Sequence, residues 1–475
     1  MMKRICSALL VLVLLLTACS SESSIQTDPS QIPSFTLSDT FCDVLDHVNS
    51  AHEAVKLYNG DYSAYVNQYQ NPDFDSSVCE FNEKAMPKST AILTLEQITA
   101  DMETFYETLR TEYGCYEYFG GDEAFRPAID AVIADCAAMD EIRCVDWVES
   151  LIEHFSFVKD AHFTFGGIMV DKAEVPFFFR DISFRKTENG YVADNGKIVA
   201  SVDGYDELDE LFKLSLTKKG ELVYYPVLLE KFHYMQLEDK KVECSTTLTV
   251  RYADGSYDEL SAEPFKLISR SSSSKNAKTK EKDGIPVVTV NYFDPTKDGA
   301  LYVDSAPLLR DRDIFIMDMR TCTGGQYSMM PQWFTNYTLQ EVWQNSLSLK
   351  KGTPDMLYKN HLAKSDKEFV STENTCIILT SKRTMSCGEA FVDMSYNMEN
   401  TLLVGENTFG CLTGSLKHWT LPNTGLYVSF GEMLYLYPDG GYFEEFQGFY
   451  PDIWVPAMEA EEAVMNFIAK NTTAN

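Results

Sequence analysis

Ser386 is the residue whose type and position most clearly suggest chemistry. It lies in Thr380-Ser-Lys-Arg-Thr-Met-Ser-Cys-Gly-Glu-Ala-Phe391, between an apolar run, Cys376-Ile-Ile-Leu379, and a stretch with apolar residues at helical spacing. At such a strand-to-helix turn, backbone N–H groups have no intrahelical partner, and the helix dipole favours negative charge. These donors could stabilise the oxyanion of an acyl-transfer reaction in which the Ser386 hydroxyl is the nucleophile.

The same residues also permit a purely structural interpretation. Ser386 and Glu389 spell a capping box, Ser-x-x-Glu, in which each side chain satisfies a backbone N–H group. This alternative requires no reactive group, and on these residues alone it is the simpler interpretation. The catalytic interpretation depends on the segments before and after the turn.

Two cysteines offer a thiol nucleophile instead of the serine hydroxyl. Cys387 directly follows Ser386, and Cys411 lies shortly before His418, with Gly414 between them. A buried cysteine usually serves packing, and no orienting acid is evident beside Cys411 and His418. The sequence supports both thiols less well than it supports Ser386.

The composition describes a large acidic protein. The chain has 475 residues, enough for two or three domains, and a formal net charge of −31. Phosphate binding needs clustered Lys and Arg, so this charge argues against nucleic acid as a partner. An excess of acid is more plausibly what keeps an exported protein soluble.

Residues 1–19 have the layout of a secretory signal peptide. Met1-Met-Lys-Arg4 precedes an apolar run that is too short to span a bilayer, and Leu16-Thr-Ala-Cys19 follows. That tetrapeptide resembles the bacterial lipobox, whose cysteine becomes the lipid-modified first residue of the mature protein. An ordinary signal with a chance cysteine is the alternative. We expect lipid on Cys19, a polar tether over 20–33, and anchoring at the extracytoplasmic face of a bacterial cell membrane.

Cysteine usage gives no metal or redox motif. Of twelve cysteines, Cys6 leaves with the signal and Cys19 would carry lipid, so ten remain, spread over a long chain. Their pairing cannot be assigned from sequence. No Cys-x-x-Cys or His-Glu-x-x-His motif is present, so we expect no metal and no other cofactor.

Hydrophobic periodicity divides the rest of the chain. The pattern over 34–90 does not determine a fold, whereas 91–165 predicts a subdomain of three helices. Short strands separated by Asn-Gly and Asp-Gly turns predict a small β-rich module over 166–270. The polar segment 271–284 is typical of a linker, and 285–475 alternates strands with helices, which predicts an α/β core.

Four segments of the C-terminal half resemble motifs of the C-terminal-processing, or tail-specific, serine peptidase family, which includes the tricorn protease core and the repeats of retinoid-binding interphotoreceptor proteins. They are Asp318-Met-Arg-Thr-Cys-Thr-Gly-Gly325, Thr384-Met-Ser-Cys-Gly-Glu389, Val404-Gly-Glu-Asn-Thr-Phe-Gly410 and Gly448-Phe-Tyr-Pro-Asp-Ile-Trp-Val455. Asp160-Ala-His162 resembles the family's Asp-Gly-His. The resemblance implies a crotonase-like ββα catalytic core, an N-terminal helical subdomain and a PDZ-like β-rich module.

The resemblance also implies a catalytic set of Ser386, His162 and Glu445. Bacterial processing peptidases activate the serine with a lysine after Thr-Phe-Gly, where this chain has Cys411, while the tricorn-like branch uses a histidine at the position of His162. A neutral imidazole, with a pKa ordinarily near about 6.5, can accept a serine proton at physiological pH. Glu445, or its neighbour Glu444, stands where that branch carries its acidic member.

The implied oxyanion donors are the backbone N–H groups of Cys387 and of Gly324 or Gly325, since glycine permits a close backbone approach. Two positions depart from the family pattern. Ala161 replaces the serine of tricorn, which leaves a neighbouring carboxylate or water to take over its hydroxyl relay, and Cys322 replaces the more usual asparagine.

The sequence thus predicts a lipid-anchored extracytoplasmic serine peptidase that hydrolyses peptide bonds through an acyl-enzyme on Ser386. Its substrate would be a peptide or unfolded protein that the β-rich module helps to seat. The alternative is a catalytically inactive lipoprotein of the same fold that binds peptides or wall fragments. The missing lysine and Ala161 favour this alternative, whereas Ser386, His162 and the two glycines favour the enzyme. Neither the substrate's identity nor the oligomeric state follows from the sequence.

Overall fold

The structure, a computed structural model, describes residues 25–53, 63–238, 241–270, 275–342, 347–350, 370–412, 414–436 and 445–474. The predicted signal peptide with Cys19, and also Glu444, lie outside these ranges. Within them, no helix combines the length and apolar character needed to cross a bilayer. Each of the ten cysteines in these ranges is a free thiol.

The helices fall into an N-terminal group and a group interleaved with the strands of the C-terminal half. They are α1 (Asp39–Glu53), α2 (Leu95–Glu112), α3 (Gly121–Ala137), α4 (Cys144–His154), α5 (Leu208–Leu211), α6 (Tyr234–Leu237), α7 (Lys297–Leu309), α8 (Met329–Thr338), α9 (Cys387–Ser395) and α10 (Ala460–Asn471).

The strands up to residue 270 are β1 (Phe35–Leu37), β2 (Ile92–Leu93), β3 (Ile142–Arg143), β4 (Thr164–Phe165), β5 (Ile168–Met169), β6 (Ala173–Phe178), β7 (Phe184–Thr187), β8 (Gly190–Ala193), β9 (Val199–Val202), β10 (Phe212–Leu216), β11 (Leu222–Phe232), β12 (Lys241–Val242), β13 (Thr247–Tyr252), β14 (Tyr257–Ser261) and β15 (Phe265–Lys266). The later strands are β16 (Ala277–Lys282), β17 (Ile285–Val290), β18 (Ile314–Asp318), β19 (Leu347–Lys350), β20 (Thr375–Thr380), β21 (Thr401–Gly405), β22 (Leu416–Thr420), β23 (Tyr427–Gly431), β24 (Met433–Leu436), β25 (Ile453–Trp454) and β26 (Thr472–Ala474).

The largest sheet in the described ranges is mixed and has eleven strands, in the order β16-β17-β18-β20-β21-β25-β10-β11-β7-β8, with β6 also paired to β11. Its central strands, from β17 to β10, are parallel. Helices α7, α8 and α9 connect successive parallel strands, as crossover connections require. The predicted α/β architecture is therefore confirmed at this level.

Both faces of the parallel strands are covered, which explains their nearly continuous apolar sequences. On one face, Ile316, Ile377 and Val404 pack against the side chains of α1 and α10. On the other, Met317 and Ile378 join a cluster with residues of α7, α8 and α9. Alternate residues of each strand thus serve two different cores, and the strand ends bring their loops to one edge.

The predicted helical subdomain is present as α2, α3 and α4. Helix α2 begins at a capping box, in which Thr94 Oγ1 accepts the Gln97 N–H at 3.2 Å and Gln97 Oε1 accepts the Thr94 N–H at 3.0 Å. Its buried face includes Met102 and Phe105. These side chains share one core with Phe430 and other residues of the four-stranded sheet β22-β23-β4-β5.

Two segments predicted to be loose connections contain described residues that pack against or pair with the rest of the fold. In the tether predicted over 20–33, Ile25 is buried and the Gln26 N–H donates to Glu281 at 2.8 Å. In the linker predicted over 271–284, β16 pairs antiparallel with β17 along its whole length. Strand β16 lies at the edge of the sheet, and its lysines alternate with less exposed residues. Charged side chains at an edge oppose pairing with a further strand. This charge is the reason why the segment has the composition of a linker.

The N-terminal segment 34–90, for which the pattern gave no fold, is bound to the C-terminal half. Helix α1 packs on the main sheet through Phe41, Leu45 and neighbouring residues. Strand β1 pairs antiparallel with β26, the last strand of the described chain.

The predicted β-rich module shares the main sheet with the C-terminal core. Strand β10 lies parallel to β25, with Ser215 opposite Trp454, and β11, β7 and β8 continue the sheet beyond it. Strands β9, β13 and β14 form a separate three-stranded sheet. The two parts are joined by backbone pairing, which no local pattern of the sequence indicated.

One buried carboxylate connects the helical subdomain to the turn before β23. Asp101 of α2 is fully buried, and its two oxygens accept four hydrogen bonds, from the backbone N–H and side chain of Asn423 and of Thr424, at 2.6–2.9 Å. Hydrogen bonds to a buried charge are stronger than those between neutral groups.

We therefore expect Asp101→Ala to lower the free energy of unfolding by on the order of 3 kcal/mol, because it removes the acceptor of four hydrogen bonds that join α2 to the turn before β23. Urea denaturation followed by circular dichroism measures this loss. The matched control is Asp140→Ala at an exposed position, which should change the free energy by less than about 0.5 kcal/mol. Equal effects of the two substitutions would contradict the importance of this carboxylate.

Candidate active site

Ser386 lies at the turn between β20 and α9 with φ 52° and ψ −119°. A positive φ is costly for a residue with a Cβ, by about 1–3 kcal/mol, and such strain concentrates at functional sites. The Ser386 N–H donates to Glu389 Oε2 at 3.2 Å, so the carboxylate half of the predicted capping box is present. The turn is thus both capped and strained.

Gly324 packs directly against the turn that bears Ser386. A Cβ at Gly324 would lie 2.9 Å from Ser386 Cβ and 3.2 Å from Ser386 Oγ, and φ there is +106°. A Cβ at Gly325 would lie 2.3 Å from the Phe293 carbonyl oxygen. Only glycine fits at either position, for the reason the sequence suggested.

The predicted oxyanion group is therefore brought together. The Cys387 amide, in the first turn of α9, would be 3.4 Å from a Cβ at Gly324. N–H groups of the first turn of a helix have no intrahelical acceptor. The Cys387 amide and the Gly324 backbone thus both lie beside Ser386.

His162 precedes β4 and is 7% exposed. Its ring nitrogens Nδ1 and Nε2 lie 3.4 and 3.5 Å from Cys411 Sγ, and Nδ1 lies 3.9 Å from Asp160 Oδ1. Asp160 also accepts the His162 N–H at 2.8 Å and the Tyr113 hydroxyl at 3.0 Å. The hydrogen-bonding partner of the imidazole in this structure is the Cys411 thiol, and Ser386 lies on the wall of the same cavity.

Burial keeps the imidazole neutral. It lowers the pKa of His162 to about 4, and the nearby His418 adds to this shift. Burial also raises the pKa of Asp160, opposed by the hydrogen bonds from His162 and Tyr113. At neutral pH the ring is therefore uncharged.

The thiols are protonated, so neither suits the role of nucleophile. Burial raises the pKa of Cys387 to about 12, and its Sγ donates to the Gly325 carbonyl at 3.0 Å. Burial, with nearby carboxylates, raises the pKa of Cys411 well above its usual range. The suggested pairing of Cys411 with His418 is wrong: Cys411 contacts His162, while His418 Nδ1 shares a hydrogen bond with the Tyr427 hydroxyl.

Glu389 is fully buried and joins the nucleophile turn to the loop after β21. Besides the Ser386 N–H, its carboxylate accepts the N–H groups of Gly410 at 2.7 Å and Cys411 at 2.6 Å. The Thr408 hydroxyl donates to it at 2.5 Å. One carboxylate thereby fixes the distance between Ser386 and the residue that contacts the imidazole.

Lys382, also fully buried, holds the carbonyl groups of the same loop. Its Nζ donates to the carbonyl oxygens of Thr408 at 2.5 Å, Phe409 at 3.1 Å and Gln447 at 3.4 Å. Burial lowers the pKa of Lys382 and raises that of Glu389, while their mutual attraction opposes both shifts. Three acceptors match the three protons of an ammonium group.

The predicted acid Glu445 is buried beside the base, where it binds backbone. Its Oε2 accepts the Ala161 N–H at 3.0 Å and its Oε1 accepts the Leu412 N–H at 2.7 Å. It therefore fixes the chain next to His162 to the chain next to Cys411. The oxygen Asp160 Oδ1 lies 3.9 Å from Nδ1 of the His162 ring.

A cavity of about 680 Å³ opens over these groups. The described residues lining it include no Asp, Glu, Lys or Arg; they are Ala161, His162, Thr164, Gly167, Met169, Tyr292, Thr323, Gly325, Tyr327, Met385, Ser386, Cys387, Ala390, Cys411, Leu412, Gly414, Ser415, Leu416, His418, Tyr427, Ser429, Met433 and Tyr435. No three His, Cys, Asp or Glu side chains of the described ranges converge as metal ligands. The arrangement suits nucleophilic attack by a hydroxyl on an uncharged substrate segment.

Sequence reasoning missed two features of the site. Lys382 gave no signal, since a lysine in a polar turn usually lies in solvent. The contact of Cys411 with His162 joins segments far apart in sequence, so no spacing could have indicated it. A hint was available only in the position of Cys411, where the resemblance to the processing peptidases implied a lysine.

Residues 285–455 match the family model "Peptidase family S41". Similar solved structures include mature CPAF (12% identity, 79% of this chain and 96% of that chain, TM-score 0.38), the photosystem II D1 C-terminal processing protease (12%, 78% and 97%, 0.37) and a putative peptidase from Parabacteroides merdae (15%, 78% and 96%, 0.40). No inference about mechanism follows from similarity at that level. None of the curated proteins matches the sequence. Over residues 285–455, this chain is therefore similar to peptidase family S41, a family of serine-type peptidases.

Proposed function

We propose that this protein is a lipid-anchored extracytoplasmic serine peptidase that hydrolyses peptide bonds through an acyl-enzyme on Ser386, with His162 as general base. The observation that carries the proposal is the convergence of a strained serine and a neutral, buried histidine on one uncharged cavity. Strain at Ser386 is costly, and a neutral imidazole is the form that accepts protons. A cap alone would account for neither feature.

In the acylation step, Ser386 Oγ forms a bond to the carbonyl carbon of the substrate as its proton passes to His162. The amides of Cys387 and Gly324 stabilise the resulting oxyanion. When the C–N bond breaks, the imidazolium gives its proton to the leaving amine. Water then attacks the ester while His162 accepts its proton. As the bond from the acyl carbon to Ser386 Oγ breaks, the imidazolium returns this proton to Oγ, which releases the carboxylic acid product and regenerates Ser386.

The imidazole must exchange partners for this step. In the structure its nitrogens contact Cys411 Sγ, at 3.4 and 3.5 Å, rather than the Ser386 hydroxyl. A neutral thiol is a weak donor that the ring can release at little cost, and catalytic hydrogen bonds commonly tighten only when substrate binds. We propose that substrate in the cavity turns the ring toward Ser386, while Cys411 holds the resting ring.

The carboxylates have separate roles in this proposal. Asp160, nearest the ring, stabilises the imidazolium that forms during acylation. Glu445 acts through backbone amides on both sides of the base, and Glu389 and Lys382 position the loop that bears Cys411. These three are positioning residues.

The remaining parts of the proposal concern location and architecture. Cys19 would carry the lipid, and the protein would work at the outer face of a bacterial membrane. The parallel strands with their crossover helices would be a crotonase-like core, and the strands of 166–270 a PDZ-like module that helps to seat peptide or unfolded protein. The sequence features in favour are the lipobox-like Leu16-Thr-Ala-Cys19 and the short strands with Asn-Gly and Asp-Gly turns.

A catalytically inactive protein that binds peptides in the same cavity is the second candidate. The contact between His162 and Cys411 favours this inactive protein, because the imidazole contacts a thiol and not the Ser386 hydroxyl. The strained backbone of Ser386 favours the enzyme, since a binding cavity has no need of it.

Covalent labelling with a fluorophosphonate probe separates these candidates. We expect the wild-type protein to be labelled, Ser386→Ala to be unlabelled, and His162→Ala to be labelled about 1000-fold more slowly. Ser415→Ala, which removes another serine of the same cavity, is the matched control and should retain the label. Absence of labelling where a known serine hydrolase reacts would leave the inactive binding protein ahead.

The pH dependence of catalysis should show the lowered pKa of His162. The base is lost when the imidazole is protonated, so kcat/KM should fall only as the pH drops toward about 4, well below the ordinary range of histidine. The groups that face the ring are Asp160, Cys411 and His418. Rates of a fluorogenic peptide between pH 3.5 and 9 test this expectation, and an acidic limb at the usual histidine value would refute it.

Lys382→Met should reduce kcat by about 100-fold with a smaller change in KM, because small displacements of catalytic groups are costly and Lys382 does not line the cavity. Methionine has a similar length but no N–H donors for the three carbonyls. The control Lys266→Met, at an exposed position, should behave as wild type. Steady-state kinetics on all three proteins decide, and a kcat for Lys382→Met equal to that of the control would refute the positioning role.

A further inference from the structure

One face of the sheet β22-β23-β4-β5 forms a wall of the catalytic cavity. On this face Ser429 donates a hydrogen bond from Oγ to the His162 carbonyl oxygen at 2.8 Å. His418 is opposite Ser429 across the strands, and Tyr427 lies two residues along β23 on the same face. The opposite face, with Phe430, is buried in the core of the helical subdomain. A row of side chains therefore leads outward from the base.

The row ends in a cluster of three rings, which we name the outer aromatic cluster: Phe81, His418 and Tyr427. The Phe81 ring centroid lies 5.4 Å from that of His418 and 5.5 Å from that of Tyr427. The centroids of His418 and Tyr427 are 5.5 Å apart, and the Tyr427 hydroxyl and His418 Nδ1 share a hydrogen bond of 2.6 Å. The cluster is thus fixed internally and continuous with the cavity lining.

Phe81 remains 45% exposed although its backbone is held firmly. The next residue, Asn82, donates its N–H to Thr420 Oγ1 at 2.8 Å, and the preceding residue, Glu80, forms an antiparallel bridge with Trp419 of β22. The ring packs against His418 and Tyr427 on one side, and the fixed backbone leaves its other side in solvent. It leaves apolar surface available at the mouth of the cavity.

The charge distribution limits what this surface can bind. The chain has a formal net charge of −31, yet the described lining of the cavity carries no Asp, Glu, Lys or Arg. Burial lowers the pKa of His418, so its ring is neutral at physiological pH. Leu416, 41% exposed, adds apolar area beside the rings. A neutral, apolar group matches this environment, and a charged one would lose hydration without gaining a partner.

We propose that the outer aromatic cluster is a subsite that binds an aromatic or large aliphatic side chain of the substrate peptide, away from the bond that is cleaved. The inference rests on the proposed peptidase function and extends it to the substrate's sequence. Ring-to-ring contact and burial of apolar area supply the affinity. Phe81 lies outside residues 285–455, so this subsite is a property of the chain beyond the matched domain.

The strand geometry sets the distance of the subsite from the reacting bond. Ser429, which touches the segment bearing the base, and Tyr427 are separated by two residues, or about 7 Å of strand. The Phe81 ring stands 5.5 Å from that of Tyr427. An extended peptide advances about 3.3 Å per residue, so the recognised side chain should be roughly three to four residues from the cleaved bond.

Two sets of fluorogenic peptides test the subsite. In each, a single Phe replaces Ala at positions one to five, on one or the other side of the cleaved bond, and kcat/KM is measured with the full-length protein. We expect Phe to raise kcat/KM about tenfold at one position, roughly three to four residues away. Phe81→Ala should reduce this preference to less than about twofold, whereas Phe81→Trp should keep it. The matched control Tyr257→Ala, which removes an exposed aromatic ring on β14, should also keep it.

The outcomes separate this inference from the proposed function. If Ser386 is labelled by the fluorophosphonate but Phe is preferred at no position, or the preference survives Phe81→Ala, the subsite is refuted and the peptidase stands. If Ser386 is not labelled, the peptidase fails, and the subsite is judged by binding of the same peptides to Ser386→Ala with and without Phe81→Ala, measured by fluorescence anisotropy. Equal affinities for the Phe and Ala peptides there would refute it.

Discussion

The carboxylate of Glu389 is the interaction on which the site depends. It is fully buried, and it accepts hydrogen bonds from the turn that bears Ser386 and from the loop that bears Cys411. Charge-assisted hydrogen bonds of this kind contribute about 1.5–3 kcal/mol each, comparable with the strain of about 1–3 kcal/mol stored at Ser386. The Glu389 carboxylate therefore stabilises the strained turn at Ser386 and fixes the distance between this turn and the loop that contacts His162. Lys382, with its three carbonyl acceptors, supplies the opposite charge that makes burial of the carboxylate tolerable.

The site shows how burial, as the largest cause, can set protonation states. His162 is kept neutral by removal from water, and the thiols of Cys387 and Cys411 are kept protonated for the same reason. The imidazole of His162 and the thiol of Cys411 are both uncharged, so they contact each other without forming an ion pair. This differs from a thiolate–imidazolium pair, in which the sulfur would be the nucleophile, and it agrees with the proposed attack by the Ser386 hydroxyl.

The architecture distributes the site over the whole chain. The parallel strands carry Ser386 and Gly324 at their carboxyl ends, the helical subdomain leads into the segment of His162, and the N-terminal segment delivers Phe81 to the mouth of the cavity. The β-rich strands are joined to the core through pairing of β10 with β25. Arg383 strengthens this union, since its guanidinium donates to the Ile268 carbonyl and to the Tyr234 hydroxyl at 2.6 and 2.9 Å. The residue three before the nucleophile thus contacts the part of the chain expected to seat the substrate.

The features that the sequence predicted correctly are those with a local cause. The buried strands before Ser386 and the helices of the N-terminal subdomain follow from apolar periodicity, and the glycines of Gly324-Gly325 follow from close approach. The polar composition of 271–284 describes a loop and an edge strand equally well, and only pairing with β17 shows that 277–282 is a strand.

The sequence by itself determined the secondary structure of the catalytic half and the position of its serine, because both depend on neighbouring residues. Only the tertiary structure decided which side chains meet: Cys411 with His162, Lys382 with the carbonyls of Thr408 and Phe409, and Glu445 with backbone on both sides of the base. Contacts between distant segments arise from the packing of the whole chain and leave no periodic trace. Burial, which sets the pKa values of these groups, is likewise a property of the folded protein alone.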